Sequence, residues 1–350
     1  MSILKVISNA IQESVDEIFN SKYPLDILEV LYGYLVISNR ICSSFSHSTA
    51  IDNNGTLHSW GDDKNGLISN TPKGVGFVSV YSSNFYCVAL HNQGTLHSWG
   101  DNNSCGIISD TPKGSGFVFV SVGGHHSSAL KNDGTLHSWG RNTNKQVSNT
   151  PKRSGFISVS TGYFHSIALH GDGTLHSWGD NDSNLVSNTP KGSEFMYISA
   201  DGFISAAIND DGTIYSWGYD SYNTISDVPK ETGFASIYLT DSHCYAIKDD
   251  GTLHSWGNNT YRQVSKIPKR SGFTCIVSGM FHSVALHNDG TLHSWDNIYD
   301  IISNTPKGSG FVFLHSGRYH CVALRDDGTI HSWGRNDYNQ VSNTPKGPHF

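Results

Sequence analysis

Gly134-Thr135-Leu136-His137-Ser138-Trp139-Gly140 decides the fold, because the chain carries eight copies of this heptapeptide or a close variant. Its Trp recurs as Trp60, Trp99, Trp139, Trp178, Trp217, Trp256, Trp295 and Trp333, in steps of 38 to 40 residues. A second marker, a Pro-Lys step, keeps pace at Pro72, Pro112, Pro151, Pro190, Pro229, Pro268, Pro306 and Pro345. A period of this length marks a repeat architecture in which each copy is one supersecondary unit.

Working outward from the heptapeptide, Phe117 to Ser121 alternates large and small residues and reads as a first strand. His126 to Leu130 is a second strand, and Thr135 to Trp139 is a third. Asp133-Gly134 between them predicts a two-residue hairpin with φ > 0 at both central positions. A polar loop, Gly140 to Lys145, leads to Gln146-Val147-Ser148, read as a short outer strand. Nothing in the unit is helical. The expected fold is all-β: a β-propeller of eight four-stranded blades over residues 40–350, with seven blades as the alternative. The eight Trp are its structural core, each ring filling the widening wedge between two blades. Ile41-Cys42 supplies the innermost strand of the first blade, with Phe350 beside it. Residues 1–39 break the pattern. Ile3, Leu4, Ile7, Ile11, Val15 and Ile18 recur at spacings of three and four, predicting a helix over 2–20, and a second follows over Leu25 to Val36.

Composition narrows the function. The net charge of −7 offers no basic excess for a phosphate backbone, so nucleic acid is not an expected partner. No stretch approaches the roughly 20 apolar residues that span a bilayer, and the N-terminus lacks a signal peptide's apolar core. Cys87, Cys244 and Cys321 share a repeat position that is Ser in other copies, which suits small buried residues in a reducing cytoplasm. Two histidine series tempt a metal reading. His58, His97, His137, His176, His254, His293 and His331 form one, with Tyr215 in the remaining copy; His47, His126, His165, His243, His282 and His320 form the other. Equivalent copies on neighbouring sheets stand too far apart for the roughly 2 Å that zinc–nitrogen bonds require, so hydrogen-bonding roles are expected and no metal or cofactor. Within one unit, His126 and His137 lie on adjacent strands where they can pair. Lysines of the Pro-Lys steps and the Asp-Gly hairpins are expected on one mixed-charge face. No catalytic motif is present, and residues repeated eight times make a poor asymmetric active site.

Trp139-Gly140-x-Asn142-x-x-x-Gln146-Val147, with His126-Ser127-x-Ala129-Leu130-x-x-Asp133-Gly134 before it, resembles the repeat of the regulator of chromosome condensation family. Trp256 to Val264 and Trp333 to Val341 match equally well. The resemblance implies a propeller. It also implies either a protein-interaction module or, as in founding members, a nucleotide-exchange factor that acts on a small nuclear GTPase and binds chromatin. The compact units leave no room for the inserted wedge of exchange factors, and the basic tail that holds chromatin is missing. A monomeric, non-enzymatic platform binding another protein is therefore the expected function. A third possibility is a substrate adaptor, since Pro24 to Leu31 resembles the start of an F-box. Specificity is expected where the repeat breaks, above all from Glu194 to Thr232. There Met196, Tyr197, Phe203, Tyr215, Tyr219 and Tyr222 are the candidate binding residues. Trp295 to Tyr299 is a lesser break.

Overall fold

The structure, a computed structural model, describes residues 39–101, 106–240, 242–295 and 301–350. The helices expected before residue 39 and most of the break after Trp295 lie outside them. The described chain forms eight three-stranded antiparallel sheets, each with its strands in sequence order. In the fourth, Phe156–Thr161 pairs with His165–His170, which pairs with Leu175–Gly179. The middle strands of the eight sheets are His47–Ile51, Tyr86–His91, His126–Lys131, His165–His170, Ile204–Asn209, His243–Lys248, Ser283–His287 and His320–Arg325. No helix among the described residues is long and apolar enough to cross a membrane.

Each middle strand is buried from its first residue through at least its fifth, as in His165-Ser166-Ile167-Ala168-Leu169. A strand covered on both faces has no solvent side, so it shows no polar–apolar alternation and uses small Ser and Ala where sheets meet. Neighbouring sheets meet first strand to first strand and first strand to middle strand. They diverge toward their third strands, and the Trp side chains fill the gap. Trp178 packs with Leu130 and Leu136 of the preceding sheet. Its indole N–H donates to the Gln146 carbonyl at 2.9 Å, and Trp60, Trp99, Trp139, Trp217, Trp256 and Trp295 donate to the equivalent carbonyl at 2.8 to 3.0 Å. Trp333 is equally buried, but its indole nitrogen has no partner among the described residues.

The fourth strand expected over Gln146-Val147-Ser148 does not form; a single helical turn stands there. The Asn142 side-chain carbonyl accepts the N–H groups of Val147 and Ser148 at 3.0 and 2.9 Å, and Asn149 N donates to Lys145 O at 3.1 Å. Those amides are consumed locally and have none left for a ladder. The turn presents the Gln146 carbonyl to the next Trp, which explains the Asn142-to-Gln146 spacing of the repeat.

The hairpin also differs from expectation. Gly134 is at φ 75°, whereas Asp133 keeps a negative φ. Gly134 N donates to Lys131 O at 2.9 Å and Lys131 N to Thr135 O at 2.9 Å, the pattern of a type I turn closed by a left-handed glycine. Asp133 earns its place through its side chain, which accepts from the Thr135 hydroxyl at 2.6 Å and the Thr135 N–H at 2.9 Å. A Cβ on Gly134 would lie 2.5 Å from Gly155 N, so the hairpin tip and the segment after the Pro-Lys step pack at one end of the unit. Opposite charges meet there through arginines following the Pro-Lys lysines: Arg153 meets Asp172 at 3.2 Å and Arg270 meets Asp289 at 3.3 Å.

The eighth sheet packs against the first. Ile41, Ala50 and Trp60 share a buried cluster with Phe313, Val322, Leu324, Ile330 and Phe350. Phe350 N donates to Gly328 O at 3.1 Å, as Phe311 N does to Gly290 O at 3.0 Å. Its ring meets His58 edge-on at 5.2 Å, as Phe117 meets His137 at 5.4 Å. Ile41 lies opposite Ala50 just as Val120 lies opposite Ala129. The first strand of sheet 1 is thus assembled from two distant pieces of chain, 39–43 and 349–350, and the circuit of sheets closes through it.

Candidate interaction site

At the start of each middle strand two adjacent residues part company, as His165 and Phe164 show. His165 is fully buried, and its Nε2 lies 2.8 Å from the Ser205 hydroxyl of the next sheet. The same link joins His126 to Ser166 at 2.7 Å, His47 to the Cys87 sulfur at 3.1 Å, and His320 to Ser48 at 2.7 Å across the closure. His243 and His282 reach Ser278 and Ser316 at 2.8 Å, while Tyr86 donates its hydroxyl to the His126 carbonyl at 2.9 Å. Burial holds these imidazoles neutral, pushing His47, His165 and His243 down to about 4 and His126, His282 and His320 to about 3. The belt therefore stitches sheet to sheet. One joint differs: Ile204 faces Cys244 in an apolar cluster between sheets 5 and 6.

The pairing open to His126 and His137 on adjacent strands does not occur. His126 stands opposite Gly140, whereas His137 stands opposite Ala129 and packs edge-on against Phe117. Among the described residues no cluster of three His, Cys, Asp or Glu is placed to hold a metal. The five described cysteines are buried thiols without disulfides.

The residue before each belt position lies at the end of the circuit opposite the hairpins, and there the rings form a track. Phe85 stacks on His125 at 6.1 Å, His125 on Phe164 at 5.1 Å with only 7° between planes, and Phe164 meets Phe203 at 6.0 Å. Tyr163 touches Phe203 edge-on at 5.5 Å. On the far arc Phe281 and Tyr319 continue the series, and Phe45, two residues before His47, meets Tyr319 edge-on. The loop following each Trp-Gly is tied to this track: Asp101, Arg141, Asp180, Tyr219 and Arg335 donate their N–H to the carbonyls of Phe85, His125, Phe164, Phe203 and Tyr319 at 2.9 to 3.0 Å. The Arg141 guanidinium lies 5.3 Å above the Phe164 ring; Arg318 lies over Phe45 and Tyr319, and Arg335 over Tyr319.

The sequence candidates divide across this framework. Phe203 belongs to the track, and Tyr219 stands beside it, 56% exposed. Tyr222, 49% exposed, is on the same loop, but Tyr261 and Tyr338 occupy the same repeat position, so it is not peculiar to the divergent unit. Tyr215, 41% exposed, takes the place of a histidine on the third strand and meets Phe195 edge-on at 5.4 Å, away from Phe203. Met196 is the extra residue of the bulge between Phe195 and Tyr197, and is half-buried. Tyr197 packs on the apolar cluster of Ile204 and Cys244, and burial pushes its hydroxyl up to about 12. The structure therefore does not bring the six together. Sequence reasoning missed the rest of the track, although an aromatic residue directly before the belt position (Phe85-Tyr86, Phe164-His165, Phe281-His282, Tyr319-His320) was its signal.

The regulator of chromosome condensation (RCC1) repeat matches residues 117–146, 156–184, 234–263 and 314–340. No curated protein matches the chain in sequence. Among solved structures, the ectodomain of the receptor kinase CR4 from Physcomitrella patens is 21% identical with a TM-score of 0.58, over 77% of this chain and 76% of that one. The CRINKLY WD40 ectodomain of the Arabidopsis thaliana receptor kinase ACR4 is 21% identical with a TM-score of 0.56, over 74% and 97%. Human WBSCR16 is 16% identical with a TM-score of 0.50, over 82% and 86%. These likenesses concern the fold, which is propeller-like.

Proposed function

We propose that this chain, which carries RCC1-type repeats, is a non-catalytic platform that binds another protein through the end of the circuit opposite its hairpins. Each sheet is read as one blade, giving a propeller of eight. One observation carries the functional reading: partly exposed aromatic side chains recur at that end of the circuit, yet their sheets also form where serine takes their place. Ser46 and Ser242 fill the equivalent position without disturbing their sheets. Aromatic and arginine side chains dominate binding hot spots, and Phe164, Phe203, Tyr219 and Arg141 stand together. The loops there also differ from sheet to sheet, so one partner can be oriented uniquely. The buried thiols of the described residues, none in a disulfide, suit a reducing cytoplasm.

The test is affinity capture with the full chain, compared with a Tyr219→Ser, Tyr222→Asn variant and with Phe203→Ala. Loss of the captured protein with an unchanged melting curve supports the platform. Equal capture by all three chains removes this end from the interface. Accelerated release of labelled nucleotide from a small GTPase would replace the non-catalytic reading with exchange activity.

A further inference from the structure

Two thiols meet in the joint between sheets 1 and 2. Cys42 lies on the first strand of sheet 1, Ile41–Ser43, through which the circuit closes, and Cys87 on the middle strand of sheet 2, Tyr86–His91. Both are buried in the apolar cluster that fills this joint, with Leu57, Leu67, Val80 and Trp99. Burial, and after it the nearby Cys42 thiol, push the Cys87 thiol well above the ordinary thiol range. The belt imidazole of His47 completes the group: its Nε2 lies 3.1 Å from the Cys87 sulfur and its Nδ1 2.8 Å from the Ser44 hydroxyl. Packing does not call for sulfur here. The place of Cys42 is filled by Ser121, Ser160 and Ser199 in sheets 3 to 5, and that of Cys87 by Ser127, Ser166 and Ser205.

We propose that Cys42 and Cys87 are a redox pair, which a peroxide converts to a disulfide that fastens the closing strand of the circuit to sheet 2. The strand itself gives the oxidant entry. Ile41–Ser43 pairs with its neighbour at three positions, whereas the first strand of sheet 2 pairs at five, so it opens locally more readily. A protonated, enclosed Cys87 is a poor nucleophile, and Cys42, uncovered as the strand opens, reacts first. Peroxide takes the Cys42 thiol to a sulfenic acid with release of one water. When the strand closes, the Cys87 sulfur attacks the Cys42 sulfur, and the S–S bond forms as the S–O bond breaks. The Cys87 proton passes by way of His47 to the departing hydroxide, giving a second water. The dithiol loses two electrons, and the O–O bond of the peroxide takes them. Such a bond is transient in a reducing compartment, as cytosolic disulfides commonly are.

The test treats the full chain, first reduced, with hydrogen peroxide under native conditions, then alkylates, digests and maps it by mass spectrometry. A linked peptide pair joining Cys42 to Cys87 should appear, and dithiothreitol should reverse it. Cys275 and Cys321, which share the apolar joint between sheets 7 and 8, are the internal control: Cys275 lies on a first strand held at five positions, so they should link more slowly. The oxidised chain should show a higher urea midpoint than the reduced one. Cys42→Ser and Cys87→Ser, which install the residue that other units already use, should fold normally and show no such shift. The proposal fails if Cys42 and Cys87 stay unlinked in the native protein, if they link only after urea has unfolded it, or if Cys275 and Cys321 link as fast. A linked chain whose midpoint does not rise would overturn the fastening role.

Discussion

His165 and its counterparts form a belt in which six of eight units carry histidine, and the exceptions are Tyr86 and Ile204. One residue earlier, the track reads Ser46, Phe85, His125, Phe164, Phe203, Ser242, Phe281 and Tyr319. The belt is buried and linked sheet to sheet by hydrogen bonds, so a change in one unit must be matched in the next. The track meets solvent, and each unit varies there without a matching change. Uniform positions in a repeat therefore mark where copies grip one another, while varied positions mark where copies address something else.

Acid should separate the two regions most sharply. An unfolded chain binds protons on histidine below about pH 6.5, whereas the belt stays neutral down to about 3 or 4. Stability is therefore constant with respect to these groups above pH 7 and falls as pH drops through 6.5. At pH 5 each such histidine costs about 2 kcal/mol, and the six together rival the about 5–15 kcal/mol that holds a typical domain. Circular dichroism should show cooperative unfolding between pH 6.5 and 4. A fold intact at pH 4 would mean that protonated imidazoles are tolerated in the belt.

Trp178→Ala should cost about 3–5 kcal/mol through the cavity it opens. Trp178→Phe should cost about 1–3 kcal/mol more than Trp333→Phe, because only the former strands the Gln146 carbonyl. Urea midpoints of the two Phe variants measure the difference, and equal midpoints would show that the indole bond contributes nothing.

A smaller effect tests the matching rule. His165→Ile should lose about 1–3 kcal/mol by orphaning the Ser205 hydroxyl. Adding Ser205→Cys should recover part of that loss, since it recreates the Ile204–Cys244 joint. Strict additivity would mean that the joints are energetically independent. Smallest of all, Phe203→Ala and Tyr219→Ser should each shift stability by less than about 1 kcal/mol, as expected of partly exposed side chains.

Most of the architecture was legible because it rests on repetition. The eight Trp, the Asp-Gly tips and the alternating first strands each announce themselves eight times or nearly so. The outer strand was misread because Gln146-Val147-Ser148 has a strand's composition, and only the contacts of Asn142 reveal that its amides are already spent. The hairpin was misread for a related reason: Asp133 acts through its carboxylate, which sequence alone does not separate from a backbone preference. The track was hidden because Phe164 and Phe203 look like ordinary apolar residues beside a buried strand. Their place in a row shows only where rings of neighbouring sheets meet, and no single unit encodes that.

The strand shared between residues 39–43 and 349–350 orders events during synthesis. Most contacts in the circuit join residues no more than about one unit apart, so sheets 2 to 8 can assemble as they leave the ribosome. Sheet 1 has its middle and third strands from the start, but not the Phe350 side chain that packs on His58. Until residue 350 emerges, the nascent chain is an open arc whose two terminal sheets expose apolar flanks. Closure across nearly the whole chain length is then the slow, late step.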